Sequence, residues 1–485
     1  MNAPGRAEYL NLSKEFNLIP VSCQIDAGLE TPTSIFRKVR PAGPAYLLES
    51  GEGGERLGRY SFIGFDPFLV FASRGKDSQV INFGRQAKFR GPPLDSLERI
   101  LSVFKVAANS GLPRFFGGAV GYVNYETVRF IEDIKVKLEH APVLPECSFM
   151  IAGTVLIFDN VRRTLTVVVN SLPGEKPDLA YDDAERKIEE TIKAVHSRAC
   201  AEGGSDGGGL AGSPAEASIS REDFIKKVVK AKQYIRAGDI LQVVLSRKLR
   251  LPFRGEAFDA YCRLRELNPS PYLFYLDFGP AAVVGASPEM LVRVEDGLVE
   301  TCPIAGTRPR GKDRAADESL AADLLGNAKE KAEHLMLVDL GRNDLGKVCE
   351  TGTVKVARFM EVEKFSHVMH LVSRLTGRLA PGKNCFDALK ACFPAGTVTG
   401  APKVRAMQII SELEPEARGV YAGAAGYFGF SGNMDTAIAI RTAVIHGGYA
   451  SVQAGAGIVS DSDPACEYEE TVNKAMALLK ALTGD

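Results

Sequence analysis

The chain of 485 residues carries 59 Lys and Arg against 60 Asp and Glu, a formal charge of −1, with 45% hydrophobic residues. That balance argues against a dedicated binder of nucleic acid or anionic membrane, and that length holds two or three domains around a large core. No apolar run is long enough to span a bilayer, and the opening M-N-A-P-G-R-A-E-Y-L lacks the apolar stretch of a signal peptide. Nine scattered Cys without a C-x-x-C point to reduced thiols in a cytoplasmic setting, and six His without an H-E-x-x-H or a Cys/His cluster argue against a zinc hydrolase.

From about Pro20 to Asn170 the chain reads as short β-rich runs: 46–48, 60–64, 68–72, 118–125 and a hairpin over 150–170. One helical stripe, Leu97, Ile100, Leu101 and Phe104, interrupts them, and a charged helix follows over 182–199. Residues 201–218, A-E-G-G-S-D-G-G-G-L-A-G-S-P-A-E-A-S, supply no core and mark a linker or surface loop. The organisation expected is an N-terminal region over 1–200, this linker, and a second domain over 219–485.

Beyond the linker, Ser220 with Glu222 and Asp223 predicts a helix N-terminus, and Gly238 its end. A strand over 240–249 has two apolar faces, so the Gln242 amide is expected to be buried and in need of partners, as a core residue or as part of a site. Further strands are expected over 273–278, 282–285, 290–294, 421–430, 436–445 and 450–453. Helices are expected over 319–340, 385–392, 402–413 and 464–482, the last opening on Asp463-Pro464. Strands and long helices mix without regular βαβ alternation, so the fold class is α+β. Residues 117–126, G-G-A-V-G-Y-V-N-Y-E, echo 422–431, A-G-A-A-G-Y-F-G-F-S, as two similar hairpins would.

Two glutamate pairs stand out. Glu330 and Glu333 are three apart in K-E-K-A-E-H-L-M-L-V-D-L-G-R-N-D, and Glu467 and Glu470 repeat the spacing in D-P-A-C-E-Y-E-E-T. Three apart on a helix is one face. Such pairs are common on solvated faces, yet two of them facing across a pocket would present hard oxygen ligands suited to Mg²⁺ rather than zinc. Q-A-G-A-G-I-V-S at 453–460 reads as a strand running into a Gly-rich turn. It approaches a dinucleotide fingerprint, but no βαβ unit follows; G-T-V-T-G-A-P-K at 396–403 misses the phosphate-loop spacing. P-I-A-G-T-R-P-R-G at 303–311 reads as a rigid loop. Arg441, in the apolar run T-A-I-A-I-R-T-A-V, is expected to be buried against an anion such as a substrate carboxylate.

Together with L-L-E-S at 47–50, N-P-S-P-Y at 268–272, G-A-S-P-E at 285–289 and H-V-M-H-L-V-S at 367–373, these blocks resemble the chorismate-utilising enzymes, and among them the large subunits of anthranilate synthases. The match is dense from about residue 220 onward and patchier before. The resemblance implies a catalytic domain of packed, mainly antiparallel sheets flanked by helices, behind an N-terminal β-rich regulatory region. It implies that Glu333 and Glu470 ligate Mg²⁺, with Glu330 and Glu467 as their water-mediated or hydrogen-bonding companions. Gly306, Thr307, Tyr421, Arg441, Gly455, Ala456 and Gly457 match chorismate-contacting positions. Glu289 matches the general acid for the departing 4-hydroxyl, and His370 and Thr397 match residues beside the ring that affect the later elimination.

Two positions discriminate among family members. Water-using members carry a Lys base where this chain has Gln242, and an amide takes no proton at neutral pH. Aminodeoxychorismate synthases carry a nucleophilic Lys where this chain has Ala305. Ammonia adding at ring C2 is therefore implied, with anthranilate and pyruvate as products; the alternative is an aminodeoxyisochorismate synthase that releases the intermediate. The resemblance further implies feedback by L-tryptophan at Ser50, Pro271, Tyr272 and Leu273. Because no Gly-rich nucleophilic-Cys loop of a glutamine amidotransferase is present, it also implies a separate glutaminase subunit in an α2β2 heterotetramer.

Overall fold

The computed structural model describes residues 2–39, 43–51, 58–82, 85–107, 111–135, 144–197, 215–365 and 368–484. Helices and mostly antiparallel strands mix as an α+β fold, and the 22 described strands are all linked by pairing. Two long strands divide that network into two arms. Cys147–Asp159 pairs along one edge with Tyr60–Arg74. On its other edge the first half pairs with Gly118–Val123 and the second half with Thr164–Ser171. The shared strands change course at a register shift between Pro67 and Leu69.

One arm runs from Ile19–Asp26 through Thr164–Ser171, the shared strands, Ala45–Glu49, Tyr272–Asp277, Ala281–Ser287, Thr442–His446 and Tyr449–Ile458 to Gln242–Pro252. The other runs from the shared strands through Gly118–Val123, Ala424–Gly429, Met434–Ile438, Met290–Glu295 and Leu298–Thr301 to Val368–Arg378, which also pairs with Ile304–Pro309 and Lys355–Lys364. Apolar faces of the two arms pack on each other. Phe62 meets Tyr427 at 6.1 Å between ring centroids, Phe115 meets Tyr427 at 4.2 Å, and Tyr46, Phe274 and Val283 share a core with Val120 and Ala425. Each arm contains strands from both sides of the 201–218 segment. Residues 201–214 of that segment lie outside the described residues, and Glu216–Ala217 forms a short strand against Gln242–Pro252.

Several expected elements have different bounds for local physical reasons. The helix expected over 319–340 is two, Arg314–Gly326 and Ala328–Gly346, because the Asn327 side chain accepts the Glu330 N–H and starts a new helix. The run expected over 436–445 is interrupted between Met434–Ile438 and Thr442–His446, where Arg441 takes a left-handed φ of 48°. Arg441 is half-buried rather than enclosed. Residues 303–311, expected to be a loop, form the strand Ile304–Pro309 with a bulge at Gly306 (φ 65°). The Gly-rich turn expected after 453 is strand to Ile458. The strand Lys355–Lys364 has no sequence signal of its own, since its side chains are mostly exposed and half of them are charged. The echoing segments are not separate hairpins: Gly118–Val123 and Ala424–Gly429 pair directly, with Gly121 opposite Gly426; a Cβ on Gly121 would strike the Ser148 carbonyl at 1.9 Å and one on Gly426 the Asp435 carbonyl at 2.1 Å, each on that strand's other neighbour. The eight described cysteines are free thiols, and among the described residues no helix is long and apolar enough to cross a membrane.

Candidate active site

The chain passes between the arms twice at neighbouring points. Ser287-Pro288-Glu289 joins Ala281–Ser287 to Met290–Glu295, and Ala439-Ile440-Arg441 joins Met434–Ile438 to Thr442–His446. The Ile438 N–H donates to the Glu289 carbonyl (3.1 Å) and the Ala286 N–H to the Arg441 carbonyl (3.0 Å), so the crossovers brace each other. Beside them opens a cleft of about 740 Å³ lined by Asn268, Thr307, His370, Arg441, Glu470 and Lys474. Residues scattered over 200 positions thus meet where the arms part.

Two helices flank the cleft. Pro464–Thr483 begins on Asp463, whose carboxylate accepts the Ala465 and Cys466 N–H groups, and packs on Tyr449–Ile458. It carries Glu467 and Glu470. Ala328–Gly346 packs on Ile304–Pro309 and carries Glu330 and Glu333. The carboxylates feel one another across the gap. Burial chiefly, then Glu330 and Glu470, push the Glu333 carboxyl above its ordinary value; burial and then Glu470 do the same for Glu467. Cations already answer part of this charge: Lys474 Nζ donates to Glu470 Oε1 (2.6 Å), and Arg308 Nη1 to Glu330 Oε1 (3.2 Å). Among the described residues no three acidic, His or Cys side chains are gathered tightly enough to hold a metal as they stand. The donor set itself suits a hard cation, since every member is a carboxylate and Glu333 is raised by its like-charged neighbours.

Gln242 sits against this acidic group. Its Nε2 donates to Glu333 Oε1 (3.3 Å), it is 5% exposed, and a Cβ on Gly457 would lie 2.6 Å from that nitrogen. The Gly residues of Q-A-G-A-G serve close approach. A Cβ on Gly455 would lie 2.5 Å from the Tyr421 hydroxyl, and the Gly455 carbonyl accepts from Lys474 Nζ (3.1 Å). Ala456 is fully enclosed, its side chain in the core. A Cβ on Gly306 would lie 3.0 Å from Glu330 Oε2. The carbonyl of Gly306 receives His370 Nδ1 (2.9 Å), with the Thr307 hydroxyl 3.1 Å from the same nitrogen. A carbonyl only accepts, so Nδ1 carries the proton and Nε2 is the ring's basic atom. Arg441 Nη1 donates to Asn268 Oδ1 (3.1 Å), which aims the guanidinium across the cleft wall.

Glu289 lies 7% exposed at the head of a small cavity shared with Thr397, Asp344 and Leu337. Burial pushes its carboxyl up to about 8, and the nearby Thr397 hydroxyl, the Ile304 backbone and the Lys474 charge offset this only in part. The Thr397 Oγ1 is buried and reaches no hydrogen-bond geometry with a described group. Glu289 is therefore a neutral acid at pH 7.

Ser50, Pro271, Tyr272 and Leu273 gather elsewhere, around a cavity of about 50 Å³ between the arms that Arg114, Phe62 and Tyr427 also line. In its wall Arg293 Nε donates to Asp435 (2.9 Å), and the Tyr272 hydroxyl donates to the other Asp435 oxygen (3.0 Å).

A family profile described as chorismate binding enzyme matches residues 43–480. The chain belongs to the chorismate-binding enzymes. Anthranilate synthase component 1 of Acetivibrio thermocellus is 47% identical over 99% of this chain and 98% of its own length, and that of Pseudomonas aeruginosa is 46% identical over the same shares. A crystal structure of anthranilate synthase component I from Streptococcus pneumoniae superposes with a TM-score of 0.78 at 38% identity, covering 94% of this chain and 99% of that one. The menaquinone-specific isochorismate synthase MenF of Escherichia coli shares the fold, with a TM-score of 0.72 at 21% identity. The chain is accordingly an enzyme of this family.

Sequence reasoning missed Lys474, which joins Glu470 to the Gly455 carbonyl. Its four-residue spacing from Glu470 is also the spacing of an ordinary surface pair, so the sequence carried no separate signal. Asn268 and Arg308 lay inside quoted motifs, but their roles as partners of Arg441 and Glu330 needed the fold.

Proposed function

We propose that this chain converts chorismate and ammonia to anthranilate, pyruvate and water. The observation that carries this reading is Gln242, which stands against Glu333 as an amide donor where a water-activating family member needs a base. Ala305 likewise rules out a lysine adduct at that position. Ammonia is its own nucleophile and asks no base of Gln242.

Glu333 and Glu470 would ligate Mg²⁺, with Glu330 and Glu467 as companions; when bound, the ion neutralises and orients the ring carboxylate. Arg441, held by Asn268, and Lys474 supply positive charge for the second carboxylate, beside the Gly455 and Gly457 backbone. Ammonia attacks C2. The double bond shifts, and Glu289 hands its proton to the departing 4-hydroxyl, which leaves as water. His370, which lines the cleft and donates through Nδ1 to Gly306, would take the C2 proton at Nε2 as pyruvate leaves and the ring aromatises.

A separate glutamine amidotransferase subunit, in an α2β2 assembly, would supply the ammonia. L-Tryptophan would bind at Ser50, Pro271, Tyr272 and Leu273 and stabilise a less active arrangement. The N-terminal residues to about 200 would then form the regulatory part and 219–485 the catalytic part, in a cytoplasmic enzyme. The lining supports an amino-acid effector: aromatic walls beside buried Glu49, Arg293 and Asp435 suit a zwitterion with a ring.

The test is purified chain with chorismate, MgCl2 and an ammonium salt at mildly alkaline pH, followed by anthranilate fluorescence and a pyruvate assay. Equimolar anthranilate and pyruvate, abolished by EDTA and suppressed by tryptophan, is the expected result. Chorismate consumption without pyruvate would overturn the complete reaction in favour of the amino intermediate.

A further inference from the structure

Glu126, Arg418 and Glu414 form an enclosed charged cluster, 0%, 3% and 6% exposed, that neither the metal helices nor the cleft uses. Burying charge is costly and often stabilises less than an apolar replacement would, so the destinations of its hydrogen bonds are informative. Arg418 Nε and Nη2 grip the two Glu414 oxygens (2.8 and 2.7 Å). Nη2 also donates to the Val244 carbonyl (2.8 Å), and Nη1 to the Val398 carbonyl (2.7 Å). The guanidinium lies between the rings of Tyr125 and Tyr421, at 4.8 and 5.5 Å. Glu126, from the N-terminal half, accepts the backbone N–H of Arg418 (2.7 Å) and of Gly419 (3.0 Å), which fixes the base of the side chain.

Each of these attachments is next to a site group. Val398 follows Thr397, the hydroxyl beside Glu289. Val244 is two residues beyond Gln242 on the same strand. Tyr421 is itself the residue whose hydroxyl meets Gly455. We infer that Arg418 is a positioning residue of the chorismate site, one planar cation that holds the Thr397 turn, the Gln242 strand and the Tyr421 ring in register. The inference rests on the reaction proposed above. Only a rigid fork reaches two carbonyls and both oxygens of a carboxylate at once; the single ammonium of a lysine cannot.

The experiment compares Arg418→Lys, Glu414→Gln and a control, Arg129→Lys, which loosens another largely buried ion pair, to Glu146 at 2.7 Å. Ammonia-dependent kcat and KM for chorismate are measured per folded molecule, alongside Tm. Wild type comes first: if it neither binds nor consumes chorismate, the proposed reaction itself fails. With wild type active, Arg418→Lys is expected to lower kcat about 100-fold, the effect of a displacement of about 1 Å at the reacting groups, and to raise KM. Glu414→Gln, which keeps the shape and loses the charge, should move kcat in the same direction and keeps the test decisive if Arg418→Lys does not fold. Arg129→Lys should lower Tm alone. Variants of Arg418 and Glu414 that lose stability yet keep wild-type kcat and KM per folded molecule would overturn the inference.

Discussion

Glu289→Gln separates proton donation from packing. The amide keeps the shape of the carboxyl but cannot release a proton. With the Glu289 carboxyl pushed up to about 8, roughly nine molecules in ten hold the acid form at pH 7. Loss of a positioned general acid costs about 10²–10⁴ in rate, so kcat for chorismate consumption should fall by that factor while KM changes little. Stability should move the other way. A folded-state value raised from about 4.5 to about 8 means the unfolded chain gives up its proton first, so this group weakens folding as pH climbs through that window and is neutral below it. Linkage sets the penalty at about 3 kcal/mol at pH 7 and approaching 5 kcal/mol above pH 8. Glu289→Gln removes it. Thermal unfolding of both proteins from pH 4.5 to 9, beside stopped-time chorismate assays, is the measurement. A variant with wild-type kcat, or a Tm difference that does not grow with pH, would refute the assignment of Glu289 as a buried neutral acid.

Glu333→Gln and Glu470→Gln should each abolish turnover and weaken Mg²⁺ binding measured directly by calorimetry, while circular dichroism stays unchanged; turnover at wild-type rate would remove these residues from the metal site. Gln242→Lys puts an ammonium where an amide now meets Glu333 at 3.3 Å. By competing with the metal for that carboxylate it should raise the Mg²⁺ concentration for half-maximal activity by about tenfold, read from a titration at fixed chorismate, and an unchanged titration would show that Gln242 lies off the metal path. Ser50→Leu crowds the cavity beside Pro271 and Leu273. Inhibition by tryptophan should weaken about tenfold or more in dose–response curves, and full retained inhibition would place the effector elsewhere.

Local features were legible in the sequence and long-range pairings were not, for a physical reason. Helix caps are local: Ser220 and Asp463 accept N–H groups within three residues, and both were legible. The glutamate spacing was local too. What the chain could not display is which strands become neighbours. Gly118–Val123 and Ala424–Gly429 look alike because each keeps a glycine where a neighbouring strand's carbonyl comes close, Ser148 at Gly121 and Asp435 at Gly426, and only the pairing of the two strands turns that echo into a contact. Arg441 misled for a related reason. An apolar run suggested one buried strand, yet the run contains a crossover between the two arms, and the left-handed turn there swings the guanidinium into the cleft.

That geometry also explains why the site needs the N-terminal half. Glu289 and Arg441 sit at crossovers, so their separation depends on how the two arms lie on each other. The arms are joined through Tyr60–Arg74 and Cys147–Asp159, and Ala45–Glu49 is inserted between the shared strands and Tyr272–Asp277. The cavity lined by Ser50 and Tyr272 opens between the arms, with Tyr427 and Asp435 on the opposite one. Under the proposed regulation, a ligand wedged there would change the spacing of the arms, and the crossovers would follow. Effector and substrate would then need no chain of individual contacts to communicate, because the packing of one arm on the other is an element both could bias.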